Sequence, residues 1–132
     1  MRHHSVLAWE ARLDSIMHEI DHILEEKYHG EYVMHPSRAK QGRTANPSQD
    51  GLFSIAANFS LGLGSEVGKG YIVDIKLVTL QKVPDKIRDE IEEIVRQKLR
   101  QLLPEQFPGS ELHVDKDGSV LKIHGDLSLG NV

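Results

Sequence analysis

The sequence predicts an α+β domain whose elements run α-β-β-α-β-β, and three observations carry that expectation. Two segments repeat their apolar residues at helical spacing, and four shorter ones alternate apolar with polar residues. No crossover helix lies between the members of either strand pair, so each pair reads as an antiparallel hairpin. The expected result is one four-stranded, mostly antiparallel sheet with both helices on one face.

The first helix is expected over residues 6–28, where Trp9, Leu13, Ile16, Met17, Ile20, Ile23 and Leu24 recur on one stripe. His29-Gly30 supplies its exit. Residues 31–50, with Pro36, Gly42, Pro47 and several hydroxyl and amide side chains, read as a polar loop. A structureless stretch of that length in a compact domain points to function or disorder. A first hairpin follows at 52–63 and 71–80. Phe53, Ile55, Ala57, Phe59, Leu61 and Leu63 share one face of its first strand, and Tyr71, Val73, Ile75 and Leu77 one face of its second.

Pro84 opens a second helix over 84–103, because the first turn of a helix tolerates a missing N–H. Acidic residues gather near its start and basic ones near its end, as the helix dipole favours. Pro104 is expected to stop it. The last hairpin is expected at 111–116 and 119–129, with Asp117-Gly118 as a type I′ turn pairing Leu112 with Ile123 and Val114 with Leu121. The opposite sheet face, carrying Ser54, Asn58, Asp74, Lys76, His113, Asp115 and Lys122, is expected to be wet or part of a polar interface.

A length of 132 residues fits a single domain, 1–132, with a modest core from 39% hydrophobic residues. Twenty acidic against 16 basic side chains give a formal net charge of −4, which argues against nucleic acid or an anionic membrane as partner. There is no cysteine, so disulfides, thiolate nucleophiles and cysteine-ligated zinc are excluded. No stretch approaches the roughly 20 apolar residues of a membrane span. The opening Met1-Arg2-His3-His4-Ser5 leads into an amphipathic segment instead of an apolar signal core. Cytoplasmic residence is the expectation.

One string carries a known chemistry. His18-Glu19-Ile20-Asp21-His22 has the HExxH spacing, which on a helix sets two imidazoles one turn apart beside a glutamate. It resembles the zinc-dependent proteases, and that resemblance implies His18 and His22 as metal ligands and Glu19 as general base. The extended family pattern then has a glycine and a third histidine. Here Glu25 stands at the glycine position, and His29 falls one residue late for the third ligand. On the helical wheel His18 and His22 lie roughly 150–180° from the apolar stripe, so they face water unless something covers them.

The polar loop offers the competing site. His35, Arg38, Lys40 and Arg43 stand among hydroxyl and amide groups and could hold a small anionic ligand such as phosphate. The glycines at 62–70 do not form a phosphate loop, since GxxxxGK-Ser/Thr is missing and a strand follows. The leading expectation is a small non-enzymatic binding or protein-interaction domain that needs no cofactor and self-associates as a homodimer or higher oligomer. Short strands leave sheet edges, and pairing across a two-fold axis protects them. A metal-dependent hydrolase with zinc at His18, His22 and His29 is the alternative.

Overall fold

The computed structural model describes residues 4–36, 38, 51–62 and 68–127. Their order is α1 (His4–Lys27), β1 (Phe53–Ser60), β2 (Gly70–Leu77), α2 (Asp85–Gln106), β3 (Leu112–Asp117) and β4 (Val120–Gly125). The strands form one antiparallel sheet in the order β1-β2-β4-β3, so β1 and β3 are its edges. The α+β architecture is the one the hydrophobic patterning implies.

Packing follows from that patterning. The α1 stripe Trp9, Leu13, Ile16, Met17, Ile20 and Leu24 is buried, and it meets Phe53, Ile55, Tyr71, Val73, Val114, Leu121 and Ile123 of the sheet. From α2 come Ile91, Val95, Leu99, Leu102 and Leu103. Helix α1 packs against β1, α2 against β3, and the helices against each other. Each large aliphatic side chain so removed from water contributes about 1.5–3 kcal/mol. Trp9 lies between Tyr71 and Phe107, with ring centroids 5.0 and 4.6 Å away.

Helix α2 does not stop before Pro104; it runs through it to Gln106. The missing proline N–H removes one helical bond. Two observations account for the extra turn: Phe107 N–H closes it onto Leu103 O at 2.8 Å, and the Phe107 ring is buried against Trp9. Burial of that aromatic outweighs the lost bond.

The second hairpin is also shifted. Asp117 pairs with Val120, Val114 with Ile123 and Leu112 with Gly125, so the turn is Gly118-Ser119. Gly118 has φ 65°, and a turn opening on Asp117 would have put that left-handed demand on a residue with a Cβ. The slip is two residues, which preserves the faces because strand side chains alternate with period 2.

Three strand ends fall short of their expected limits. β1 ends at Ser60 and β2 at Leu77, while Leu127 is buried beyond the end of β4. Leu63 and Leu129 lie outside the described residues. Beyond β2 the chain turns to the segment that follows α1: His35 N–H donates to Val78 O at 3.0 Å, and Thr79 Oγ1 donates to Val33 O at 2.6 Å. The described start of the 31–50 stretch is therefore tied to the sheet. Lys122, expected on a wet face, is 2% exposed; its Nζ reaches Asp117 Oδ2 at 2.9 Å and Gly68 O at 2.8 Å. Pairing and hydrogen bonding are what a buried ammonium requires.

Candidate functional site

The HExxH string sits in the middle of α1, and its backbone does what the spacing implies. His18, Glu19 and His22 are exposed on the side away from the core, whereas Asp21 between them is buried. His22 Nε2 lies 3.1 Å from Glu26 Oε1, a pair in which both side chains remain largely in solvent. His29 follows the helix end, also exposed. Among the described residues no group of three or more His, Asp or Glu is arranged to hold a metal ion.

A cavity of about 660 Å³ opens at the end of α1, lined by Glu25, Glu26, His29, Tyr32, Met34 and Leu52 among others. Glu25, at the position where the protease pattern has glycine, has a different task here. Its Oε1 accepts the N–H groups of Leu52 and Phe53 at 2.5 and 2.9 Å. Those two donors lead into β1 with no ladder partner among the described residues, and the carboxylate supplies their acceptor.

Arg38 completes the same clamp. Its Nε donates to Gly51 O at 3.2 Å and an NH2 to Phe53 O at 3.0 Å. His35 is half-buried, with its backbone N–H on Val78. The structure thus places His35 and Arg38 beside the start of β1, with Arg38 bonded to backbone carbonyls; Lys40 and Arg43 lie outside the described residues.

The two sheet edges are chemically unlike. Asp126 N–H donates to Glu111 O at 2.9 Å, and ladder alternation then turns Leu112, Val114 and Lys116 to the free side of β3. That edge is guarded: Arg100 donates to Val114 O at 3.2 Å, and Lys116 pairs with Glu92 at 3.0 Å. On the other edge, Val78 N–H donates to Leu52 O at 2.7 Å, which by the same alternation turns Phe53, Ile55, Ala57 and Phe59 away from β2. Phe53 is the residue clamped by Glu25 and Arg38. Ile55, Ala57 and Phe59 have no such clamp among the described residues. Strand β1, FSIAANFS, carries no charge along its eight residues.

Across β3 and β4, His113 pairs with His124, their ring centroids 5.3 Å apart. Nε2 of His124 meets Asp115 Oδ2 at 2.8 Å. That hydrogen bond, with weaker attraction from Arg100 and Arg96, holds the Asp115 carboxyl below the usual carboxylate range. At the core side, burial and then a 2.6 Å bond to Glu90 push the Tyr28 hydroxyl well above the ordinary phenol value. Neither group faces the α1 histidines.

The site therefore defines a class: a two-layer α+β domain with an open antiparallel sheet, one edge guarded and the other, among the described residues, clamped only at its start. Its residues 4–125 match a family described as an uncharacterised protein, and the chain belongs to that family. It is 37% identical over 107 residues to an uncharacterized protein of Borreliella burgdorferi, an alignment covering 81% of this chain and 84% of the relative. No solved structure matches it significantly. No helix among the described residues is long and apolar enough to cross a membrane.

Proposed function

We propose that this is a small binding or protein-interaction domain of the cytoplasm that carries out no chemistry of its own and self-associates through a sheet edge. The observation that carries the reading is the contrast between the edges: β3 is blocked by Arg100 and its own charges, whereas β1 is an uncharged strand whose backbone beyond Phe53 no described residue clamps. Soluble proteins normally blunt exposed edges with charge, proline or a cover. An edge that the described residues leave unclamped, opposite one so guarded, fits a strand that is covered by a partner.

Sedimentation velocity over a concentration series tests this. The expected species at tens of micromolar is a dimer or a higher oligomer that dissociates on dilution. A monomer throughout the range would remove the self-association reading.

A second proposal, a zinc-dependent hydrolase using His18, His22 and His29 with Glu19 as base, has one observation in its favour. Glu26 both pairs with His22 and lines the cavity that His29 borders. Stoichiometric zinc in protein purified without added metal, lost in His22→Ala together with a hydrolytic activity, would support it. Metal-free, inactive protein would remove it.

A further inference from the structure

Resting on the self-association reading, we infer that the partner is a second copy of this chain, joined β1 to β1 in antiparallel register with Ala57 on the two-fold axis. The register follows from which backbone groups are open. Gly51 O, Phe53 O and Phe53 N–H are taken by Arg38 and Glu25, so pairing cannot extend past Phe53 without breaking that clamp. Among the described residues, the N–H and C=O of Ile55, Ala57 and Phe59 have no such clamp and point to the same edge.

An isologous pair must place each residue opposite its symmetry mate. Within Phe53–Ser60, only a centre at Ala57 pairs these three residues with one another, setting Ala57 opposite Ala57 and Ile55 opposite Phe59. Each pair exchanges two bonds, about six in all. With pairing confined to β1, any other register leaves one of these donors unpaired or disturbs the clamp.

Side chains agree with the backbone. Phe59 is 39% exposed and Leu61 68% exposed, both at the far end of β1 from the clamp. In the inferred register the Phe59 ring comes beside Ile55 of the second copy. Leu61, on the same face by parity, approaches the Phe53 end. Since β1 has no charged residue, the two-fold brings no like charges together. A strand that is electrically neutral throughout needs no complementary partner. The result is a continuous eight-stranded antiparallel sheet, with the guarded β3 edges at its two ends and all four helices on one face.

On the open face of this sheet, Ala56 stands opposite Asn58 of the second copy. This pair gives a register-specific test that spares the core, because both side chains point away from the helices. A variant with Ala56→Lys and Asn58→Lys sets lysine against lysine across the seam, and one with Ala56→Glu and Asn58→Glu does the same with glutamates. Each alone is expected to sediment as a monomer with unchanged circular dichroism, weakening dimerisation at least tenfold. Mixed in equal amounts, they are expected to form a one-to-one heterodimer that 1 M salt dissociates. If the native protein is dimeric and both variants remain dimeric alone, the register is wrong while self-association stands. If the native protein is monomeric, both the inference and the reading beneath it fail. A second variant, Phe59→Ser, keeps the strand neutral and is expected to weaken the dimer measurably; unchanged affinity would contradict the proposed Phe59–Ile55 contact.

Discussion

Replacing Glu25 with alanine should cost stability out of proportion to the size of the side chain. Its Oε1 accepts from Leu52 N–H and Phe53 N–H, at residues 5% and 0% exposed. Removal leaves two buried donors without their acceptor, and an unsatisfied buried group costs about 1–3 kcal/mol. A loss of about 2–5 kcal/mol is expected, a large share of the roughly 5–15 kcal/mol that holds a typical domain folded. Glu25→Gln keeps an acceptor oxygen and loses only the charge, so it should cost about 1 kcal/mol. Urea unfolding at one fixed protein concentration reads both, with the single Trp9 as probe. Fixed concentration matters because association adds to apparent stability. The expected signature is a lower midpoint at unchanged slope. If Glu25→Ala loses less than about 0.5 kcal/mol, the carboxylate is not anchoring the strand. Glu25 would then be available for another role in the cavity.

Other outcomes follow from the same structure. Because the Tyr28 hydroxyl has a raised folded value, its contribution is fully present below the ordinary phenol value of about 10 and is lost as pH rises from there through the higher folded value; Tyr28→Phe should lose about 1 kcal/mol at pH 7 and show a flatter alkaline melting profile. Asp115 has the opposite sign: its depressed folded value adds stability above the ordinary carboxylate value of about 3.9, lost as pH falls through the folded one. His124→Ala removes the main cause of that depression, so the stability difference from the native protein should be larger at pH 5 than at pH 2; equal differences would contradict the pairing. Phe107→Ala should cost about 3–5 kcal/mol and red-shift Trp9 fluorescence, since the ring packs on the indole and holds the turn that contains Pro104.

Much of the fold was readable because burial is written in periodicity. The α1 stripe from Trp9 to Leu24 and Phe53, Ile55, Tyr71 and Val73 of the first hairpin went to the core as patterned, with Ala57, Ile75 and Leu77 partly buried against it, whereas Phe59 stayed exposed. What misled were local signals that distant packing overrode. Pro104 marks a stop until Phe107 is known to land on Trp9, a contact between the start of α1 and the end of α2, which are far apart in sequence. Asp-Gly is a strong hairpin signal, yet Gly118-Ser119 forms the turn because the glycine takes the left-handed position and Asp117 is held by Lys122. Lys122 reads as a surface residue because its partners come from separate places, Asp117 from the end of β3 and Gly68 from just before β2.

The site was legible in a different way. The outward orientation of His18 and His22 could be read from the helical wheel. The role of Glu25 could not, since its two donors are Leu52 and Phe53, far along the chain. The missing charge in FSIAANFS was visible in the sequence all along, and it acquired meaning only with the strand order. The order β1-β2-β4-β3 is what makes that neutral strand an edge.

Residue-resolved amide exchange, measured at two protein concentrations, tests the central claim most directly. Ser54, Ala56 and Asn58 donate inside the β1–β2 ladder and should be protected at both concentrations. The amides of Ile55, Ala57 and Phe59 point away from β2, to the edge that no described strand pairs. Their protection is predicted to be strong where the protein is dimeric and to vanish on dilution. Fast exchange of these three amides in the concentrated sample, with sedimentation reporting a dimer, would place the interface elsewhere. Fast exchange in a protein that is monomeric at every concentration would contradict the account altogether.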